Sequence, residues 1–369
     1  MTLVLKVVRP NDIASGKISE AQANASMISL HPQLAFDPKL ANASELYSYA
    51  KQEWRFYDSG KPFIAEEKVD GVRCQFVLGL ANGQPVAYGF SRANRELASV
   101  GHLLDDLLHS RDNFIESNKA LAGKEEPLAE WLANRSKQGY QLLVLDCELF
   151  AVDGASNYLP FRLVNGYANR RSADSDTASL KAYIFQAYWA NSRGSCICTV
   201  DPSLWPVLLY SQLRLSKLRW HKAIRYEINS EDDLVTLAND LASRHAEGLV
   251  LKCPDFRHFD NRSKRWLKLK FRRSGTFRLT EVIAGEGKCL GNAGAIRVAD
   301  ANGNTTLVGT GFTDSDREEL SNLEFVTRSI FVDISYMTTT GNSLREASFE
   351  GIRYDLPADY IATDLFTAR

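Results

Sequence analysis

The sequence predicts an α+β protein of two domains, in which a mixed first domain precedes a smaller domain made mostly of strands. Its 369 residues are enough for two cores, and 44% hydrophobic with 24% charged residues is ordinary for a globular protein. Short strands and helices are interspersed from residue 63 to about 273, and strand patterns with a single helix follow. We therefore expect an N-terminal extension over residues 1–30, a first domain over 31–273 and a second over 274–369.

The first domain is expected to open with a helix and a turn. Residues 1–30 show no clear hydrophobic period after a short apolar start, so no element is assigned to them. Asn42 and Ser44 are capping residue types before a run of helix formers, which predicts a helix from near Ser44 to about Phe56. The segment Asp58–Pro62 then predicts a turn.

The second domain has the pattern of a small OB-type barrel. Asn302-Gly303 predicts the turn of a hairpin, and Thr313 with Asp316 three residues later predicts a capped helix through about Leu323. Four further segments predict strands, namely Thr276–Ala284, Ala295–Asp300, Thr305–Gly309 and Ile330–Met337. Strands interrupted by one helix suit an OB-fold β-barrel, although the pattern alone also allows another small fold.

Composition and charge indicate which partners, cellular location and cysteine state to expect. Apolar runs are far shorter than the roughly 20 residues that span a bilayer, so no membrane partner is expected. The first residues carry neither a basic leader nor an apolar signal stretch, so we expect a cytoplasmic protein. We also expect it to be a monomer. The six cysteines lack the spacing of a zinc site and are expected to be free thiols. With a net charge of −1, a nucleic-acid surface requires local clustering, as in the basic stretch Arg257–Arg278, although such runs are more often solvated faces.

A candidate nucleophile lies in the segment Glu66-Glu67-Lys68-Val69-Asp70-Gly71-Val72-Arg73. Lys68 leaves an apolar strand just before an Asp-Gly turn, and an arginine follows. A lysine attacks as the neutral amine, so its ordinary pKa of about 10.4 must be lowered by burial or by neighbouring positive charge. By itself the segment also fits an ordinary surface lysine at a hairpin.

Charged residues further along the chain would complete a phosphate site. Glu148 and Glu247 stand in apolar surroundings, where a carboxylate needs a partner such as Mg²⁺ bound to a triphosphate, with Mn²⁺ as a substitute. Exposed strand-edge acids are the alternative. Lys268 and Lys270 are spaced at the strand period of two, so both are expected on one face. They could hold a phosphate, and would lower the pKa of Lys68 if they lie near it; alone, they also fit a solvated strand face.

Five segments in this order resemble motifs I, Ia, III, IV and V of the covalent nucleotidyltransferase superfamily, which contains DNA ligases, RNA ligases and mRNA capping enzymes. They are Lys68–Arg73, Ser91-Arg92, Leu145–Leu149, Glu247–Lys252 and Trp266–Lys270. The chain resembles most the ATP-dependent DNA ligases, in particular the short ligases of podovirus-type phages, over about residues 61–357. The resemblance implies a nucleotidyltransferase (adenylation) domain of antiparallel sheets with flanking helices, followed by an OB-fold β-barrel.

The end of the chain extends this resemblance. Val308–Phe312 resembles a strand of the ligase OB domain with its following turn. Ser343–Arg345, followed by Arg353 and Asp355, resembles motif VI, which in the family orients pyrophosphate. That motif normally ends in Asp-Lys, whereas Leu356 follows the aspartate here. The resemblance implies that Arg345 and Arg353 contact ATP.

The resemblance also implies roles for residues around the nucleotide. Lys68 would carry AMP, Glu66 would contact adenine, and Phe185, in a segment that resembles motif IIIa, would stack on the purine. A plain core aromatic is an equal alternative for Phe185. The residues expected to act in catalysis are Lys68, Asp70, Arg73, Lys268 and Lys270.

Other implied roles concern the phosphates, the metal and the DNA. Arg73 and Arg92 would contact the ribose or the 5′-phosphate of the nick, Glu148 the ribose or the metal, and Glu247 the catalytic metal. The phosphates would be held by Lys252, Lys268 and Lys270. The basic stretch Arg257–Arg278 would grip backbone phosphates without contacting bases.

The implied activity is the ATP-dependent sealing of nicks with 5′-phosphate and 3′-hydroxyl ends in duplex DNA, in replication, repair or recombination. Lys68 would attack the α-phosphorus of ATP, AMP would pass to the 5′-phosphate, and the 3′-hydroxyl would displace it. An RNA ligase or mRNA capping guanylyltransferase is the alternative, since both use the same lysine and glutamates. A catalytically silent nick-binding protein is the alternative from another class. Motif VI and the OB region favour a DNA ligase over an RNA ligase or capping enzyme. The intact charged residues argue against a catalytically silent binding protein.

Overall fold

The computed structural model describes residues 30, 33–55, 60–118, 124–154, 158–244, 246–254, 262–322, 329–340 and 342–364. The chain forms two compact units, of which the first ends at Leu269 and the second begins at Lys270. The boundary predicted after residue 273 lies close to this division. None of the helices in the described ranges is long and apolar enough to cross a membrane.

The first unit contains two sheets. Its strands are β1 (Leu34–Phe36), β2 (Phe63–Lys68), β3 (Val72–Ala81), β4 (Gln84–Ser91), β5 (Leu142–Phe150), β6 (Lys181–Ala190), β7 (Cys196–Thr199), β8 (Trp220–Lys222), β9 (Arg225–Ile228), β10 (Gly248–Lys252) and β11 (Arg262–Lys270), which runs into the second unit. Its helices are α1 (Ala43–Glu53), α2 (Gly101–Ser117), α3 (Leu128–Lys137), α4 (Phe161–Ala168) and α5 (Glu231–Ser243), and a π-helical turn covers Val207–Gln212.

The pairing of these strands distributes the segments of the predicted site over two β-sheets. One sheet has the order β1-β11-β10-β2-β9, and the other has the order β4-β3-β5-β6-β7 with β8 beside β6. Strand β2 is antiparallel to β10 and β9, and β5 is antiparallel to β3 and β6, whereas β1–β11 and β6–β8 are parallel pairs. The predicted antiparallel sheets with flanking helices are confirmed.

The core of the first unit explains which side chains remain for the site. Alternate residues of β5 point to opposite faces, as in any strand. Leu143, Leu145 and Cys147 are fully buried in a large apolar cluster with residues of α2, α3 and α4. The intervening residues Asp146 and Glu148 therefore lie on the opposite face of the sheet.

The predicted first helix is present and is shorter than expected. Asn42 accepts a hydrogen bond from the Glu45 amide at 2.9 Å, so the cap predicted from the sequence is formed. The helix ends at Glu53 rather than near Phe56. Trp54 leaves it because its indole is buried and donates a hydrogen bond to Lys264 O at 2.8 Å. Of the predicted turn Asp58–Pro62, residues 58 and 59 lie outside the described residues.

The second unit contains the elements predicted for it. They are β12 (Arg273–Ala284), β13 (Ala293–Ala299), β14 (Thr305–Val308), α6 (Asp314–Ser321) and β15 (Phe331–Tyr336). Three further strands were not predicted, namely β16 (Thr338–Thr340), β17 (Ser343–Arg345) and β18 (Ser348–Arg353). Thr313 and Asp316 form a reciprocal capping box at the start of α6, which confirms that prediction. Gly303 has φ +81°, a left-handed conformation that suits the predicted hairpin turn.

The second unit is OB-like, but its described strands do not form the closed barrel that was expected. Its main sheet has the open order β14-β13-β12-β15-β18. The two edge strands, β14 and β18, are not paired with each other in this order. The segment that follows β14 contacts β18 instead, where the Phe349 amide donates a hydrogen bond to Thr310 O at 2.9 Å. Gly311, with φ +95°, turns the chain at this point, and a Cβ there would lie 2.3 Å from Phe349 O. The turn thus replaces the ladder of hydrogen bonds that would have closed the barrel.

Candidate active site

A cavity of about 770 Å³ lies in the first unit, within the size range of small-molecule sites. Side chains from both sheets and from α4 line it. The residues from the predicted motifs that line it are Glu66, Lys68, Arg73, Arg92, Glu148, Phe185, Lys252 and Lys268. The structure therefore brings together residues that are up to about two hundred positions apart in the sequence.

Lys68 is the last residue of β2, and a tight turn at its end faces it toward two acids. Its Nζ lies 2.5 Å from Glu247 Oε2, and its cross-strand partner is Gly248. Gly71 is required in the turn because a Cβ would lie 2.0 Å from Leu149 O. The Asp-Gly step thus lets the end of β2 approach β5, which carries Glu148.

The charges around Lys68 differ from those that the sequence suggested. Burial lowers the pKa of the Lys68 amine, but the carboxylates of Glu247, Glu148 and Asp70 outweigh burial and raise it above its ordinary value. A lowering was expected only if Lys268 and Lys270 lay near Lys68, and the shift found here is upward. Lys68 is an ammonium ion in this arrangement, and it must lose a proton before it can act as a nucleophile.

Glu148 and Glu247 form a carboxylate pair that suits a hard divalent cation. Burial is the main cause that raises the pKa of Glu148 to about 7, and the Glu247 charge adds to it against the opposing effects of Lys68 and Arg73. No group of three or more His, Cys, Asp or Glu that could hold a metal occurs in the part of the chain that the structure describes. Two carboxylates fit Mg²⁺, which usually takes one or two protein carboxylates with phosphate oxygens and water as its remaining ligands.

Arg73 is held by an acid that the sequence analysis missed. Its Nη2 lies 2.5 Å from Asp146 Oδ2, its Nε donates to Asp146 Oδ1 at 2.9 Å, and Gln33 O accepts a further hydrogen bond at 2.7 Å. Such a bidentate pair fixes the guanidinium plane. The available signal was an acid two positions before Glu148 in an apolar strand, since this spacing places both on one face.

Phe185 faces the cavity because of a bulge in β6. Asp146 pairs with Gln186 and Cys147 with Ile184, so Phe185 is the extra residue between them. Its ring packs edge-on against Trp266 at 6.1 Å, and the Arg73 guanidinium lies 5.1 Å from the ring centre. A partly exposed ring at the wall of the cavity can stack on a base, as the family resemblance implies.

Glu66 lies almost fully buried between two cations on the strands that flank β2. Its Oε2 accepts a hydrogen bond from Lys252 Nζ at 2.6 Å, and its Oε1 lies 3.1 Å from Arg225 Nε. Lys252 Nζ also donates to Phe185 O at 3.0 Å and lies 4.1 Å from the centre of the Trp266 ring. Arg225 was not singled out from the sequence, and Trp266 was named only as the first residue of the segment that resembles motif V, without a role. Only pairing between distant strands reveals their contacts.

The remaining predicted residues fall into two groups. Lys268 lines the cavity, and its Nζ lies 3.5 Å from Asp37 Oδ2. Lys270, Arg345 and Arg353 belong to the second unit. There, Lys270 pairs with Glu346 at 2.7 Å, and Arg353 pairs with Asp355 at 2.7 Å and with Asp333 at 3.3 Å. Part of the predicted basic stretch, including Arg257, lies outside the described residues.

Comparison with known proteins agrees with this geometry. Residues 38–270 match the family model described as ATP dependent DNA ligase domain, and residues 284–353 match the model described as DNA ligase OB-like domain. No curated protein matches the chain. Among solved structures, one of a Lig E DNA ligase has a TM-score of 0.54 at 17% identity and covers 88% of this chain and 100% of its own. The structure named Pmar-Lig_PreS3 has a TM-score of 0.59 at 18% identity, with coverage of 93% and 71%. At these identities the structural likeness concerns the fold alone.

Proposed function

The chain belongs to the ATP-dependent DNA ligase family, and we propose that it seals nicks in duplex DNA through an AMP adduct on Lys68. The observation that supports this most directly is the position of Lys68 in a nucleotide-sized cavity beside the carboxylates of Glu247 and Glu148. A lysine in such a place can attack a phosphorus atom once its proton is removed.

The first step would join Lys68 to AMP. The Lys68 ammonium group first loses a proton to solvent, and the neutral Nζ then attacks the α-phosphorus of ATP. A nitrogen–phosphorus bond forms, the bond to pyrophosphate breaks with its electron pair leaving on pyrophosphate, and the nitrogen loses a second proton to solvent. Glu66 would accept a hydrogen bond from the adenine, Phe185 would stack on it, and Arg73 would contact the ribose or the nick phosphate. Lys268 and Lys252 would contribute positive charge near the phosphates, and the family resemblance also implies that Lys270, Arg345 and Arg353 contact ATP.

The metal would be held by Glu148 and Glu247. Bound there, Mg²⁺ or Mn²⁺ would neutralise phosphate charge and take the two carboxylates away from the Lys68 ammonium group. The loss of those two negative neighbours would lower the pKa of Lys68 toward the value that burial alone favours. This removes the obstacle that the raised pKa presents.

The second and third steps would use DNA. An oxygen of the 5′-phosphate attacks the lysyl-AMP phosphorus, which breaks the nitrogen–phosphorus bond and returns Lys68. The 3′-hydroxyl then attacks the activated 5′-phosphorus, a phosphodiester forms, and AMP leaves. We expect a monomer in the cytoplasm to carry out this sequence in replication, repair or recombination.

The test is to incubate the protein with Mg²⁺ and α-labelled ATP and then to add nicked DNA or nicked RNA duplexes. We expect an acid-labile adduct that is absent from Lys68→Ala and present in Lys137→Ala, an exposed lysine on α3. Its discharge with sealing of DNA supports the proposal. An adduct with GTP alone would favour a capping enzyme, discharge on RNA alone an RNA ligase, and no adduct at all a silent nick-binding protein.

A further inference from the structure

The turn after β4 presents two arginines to the mouth of the cavity. Arg92 and Arg95 both line the cavity and are both exposed. Ser91 closes the turn, because its amide donates to Arg95 O at 2.8 Å and its hydroxyl oxygen accepts from the Arg95 amide at 3.1 Å. Asn94, at φ 56°, donates its amide to Ser91 O at 2.9 Å. The backbone therefore holds both side chains at the same rim.

Arg95 is tethered by amides. Its Nη2 donates to Asn169 Oδ1, and Asn169 Nδ2 donates to Asn165 O at 2.8 Å and to Asn165 Oδ1 at 2.9 Å. Both asparagines line the cavity as well. In the described part of the chain, neither Arg92 nor Arg95 forms an ion pair with a carboxylate. A neutral acceptor thus orients the guanidinium of Arg95 and leaves its charge available to an anion.

We propose that Arg95, positioned by Asn169, is a second arginine that binds the 5′-phosphate of the DNA strand beside Arg92. The rim is exposed, so a macromolecular anion can reach it. Two guanidinium forks match the oxygens of a terminal phosphate, which carries more charge than a bridging phosphodiester. The nucleophile Lys68 comes from the other sheet, so the two arginines supply a separate part of the same cavity. This inference rests on the proposed function.

The experiment compares nicked duplexes that carry either a 5′-phosphate or a 5′-hydroxyl at the nick, in affinity and in AMP transfer. The variants are Arg95→Ala, Arg95→Lys, and Asn169→Asp, which places a carboxylate against Arg95. The control is Arg162→Ala, an exposed arginine on α4 that does not line the cavity. Adenylylation of Lys68 is measured in each variant, which reports folding and any contact of Arg95 with ATP phosphates.

We expect Arg95→Ala and Asn169→Asp to keep Lys68 adenylylation and to lose roughly 10- to 100-fold in AMP transfer and in the affinity preference for the 5′-phosphate. Arg95→Lys should recover part of the loss, and the control should behave as the wild type. An equal loss of affinity for both duplexes would place Arg95 on another backbone phosphate and overturn the proposal. A loss of adenylylation in a variant that keeps the circular dichroism spectrum and urea midpoint of the wild type would assign Arg95 to ATP and overturn the proposal too. If the wild type transferred no AMP to any duplex, the proposed function itself would fail.

Discussion

Lys68 and Glu247 form an ion pair of 2.5 Å between the end of β2 and the residue that precedes β10. The two strands pair in antiparallel register, with Lys68 opposite Gly248, so the pair is built into the sheet. It stabilises the ammonium form of Lys68 and opposes nucleophilic attack. In the proposed mechanism, a change of charge at Glu247 and Glu148 is therefore the step that would prepare the lysine.

Metal removal is expected to abolish the adduct on Lys68. With a chelator present, Glu247 remains paired with the ammonium group and the Glu148 charge still raises the pKa of Lys68, and Mg²⁺ should restore the adduct. Glu148→Gln and Glu247→Gln should each raise the Mg²⁺ concentration that gives half-maximal adenylylation by at least about tenfold. Even substitutions of residues that only hydrogen-bond to a metal ligand lower metal affinity by this factor. Glu227→Gln, an exposed acid on β9, is the control. An unchanged Mg²⁺ dependence in both site variants would contradict the metal assignment.

Loss of the buried Lys252–Glu66 pair is expected to destabilise the first unit. Both side chains are at most 6% exposed, so Lys252→Met leaves a buried carboxylate with Arg225 as its remaining cation. We expect the free energy of unfolding in urea to fall by about 3 kcal/mol, the low end for a broken buried pair. Asp240→Asn on α5 breaks an exposed ion pair with Arg244 and should lower the free energy of unfolding by at most about 1 kcal/mol. Equal costs for the two variants would refute the argument.

The same lysine predicts a pH dependence of stability. Burial lowers the pKa of Lys252 to about 8, although Glu66 opposes this, whereas the unfolded chain has the ordinary value of 10.5. Between these values the unfolded state binds more protons, so the contribution of Lys252 to stability increases as the pH rises from about 8 toward 10.5. The difference in unfolding free energy between wild type and Lys252→Met should therefore grow by about 1 kcal/mol per pH unit in this window. A difference that stays flat or shrinks would show that Lys252 keeps an ordinary pKa.

Phe185 is expected to contribute to ATP affinity and little to the adenylylation rate at saturation. Phe185→Ala removes the ring that would stack on the base, which is worth roughly 1–3 kcal/mol, so the ATP concentration for half-maximal adenylylation should rise about 10-fold or more. Phe185→Trp should retain most of the affinity. Phe114→Ala, on α2 and outside the cavity lining, is the control. If Phe185→Ala shows the ATP dependence of the wild type, the Phe185 ring does not contact the nucleotide and has only a packing role.

The sequence alone determined the features that depend on short spacing. The apolar surroundings of Glu148 indicate that its carboxylate needs a partner, a period of two relates Lys268 to Lys270, and Thr313 with Asp316 predicts the capping box of α6. These follow because backbone geometry fixes where neighbouring side chains point. The order of five motifs indicated the nucleotidyltransferase superfamily, and motif VI with the OB region favoured the DNA ligases within it.

Tertiary structure decided the features that depend on register between distant strands. Glu66 and Lys252 are 186 positions apart, and only the pairing of β2 with β10 makes them partners. The bulge that turns Phe185 into the cavity exists only against β5. The charge state of Lys68 likewise depends on which groups surround it, since acids from three segments outweigh burial. Local spacing specifies the direction of a side chain, whereas its neighbours are set by how the sheets pack.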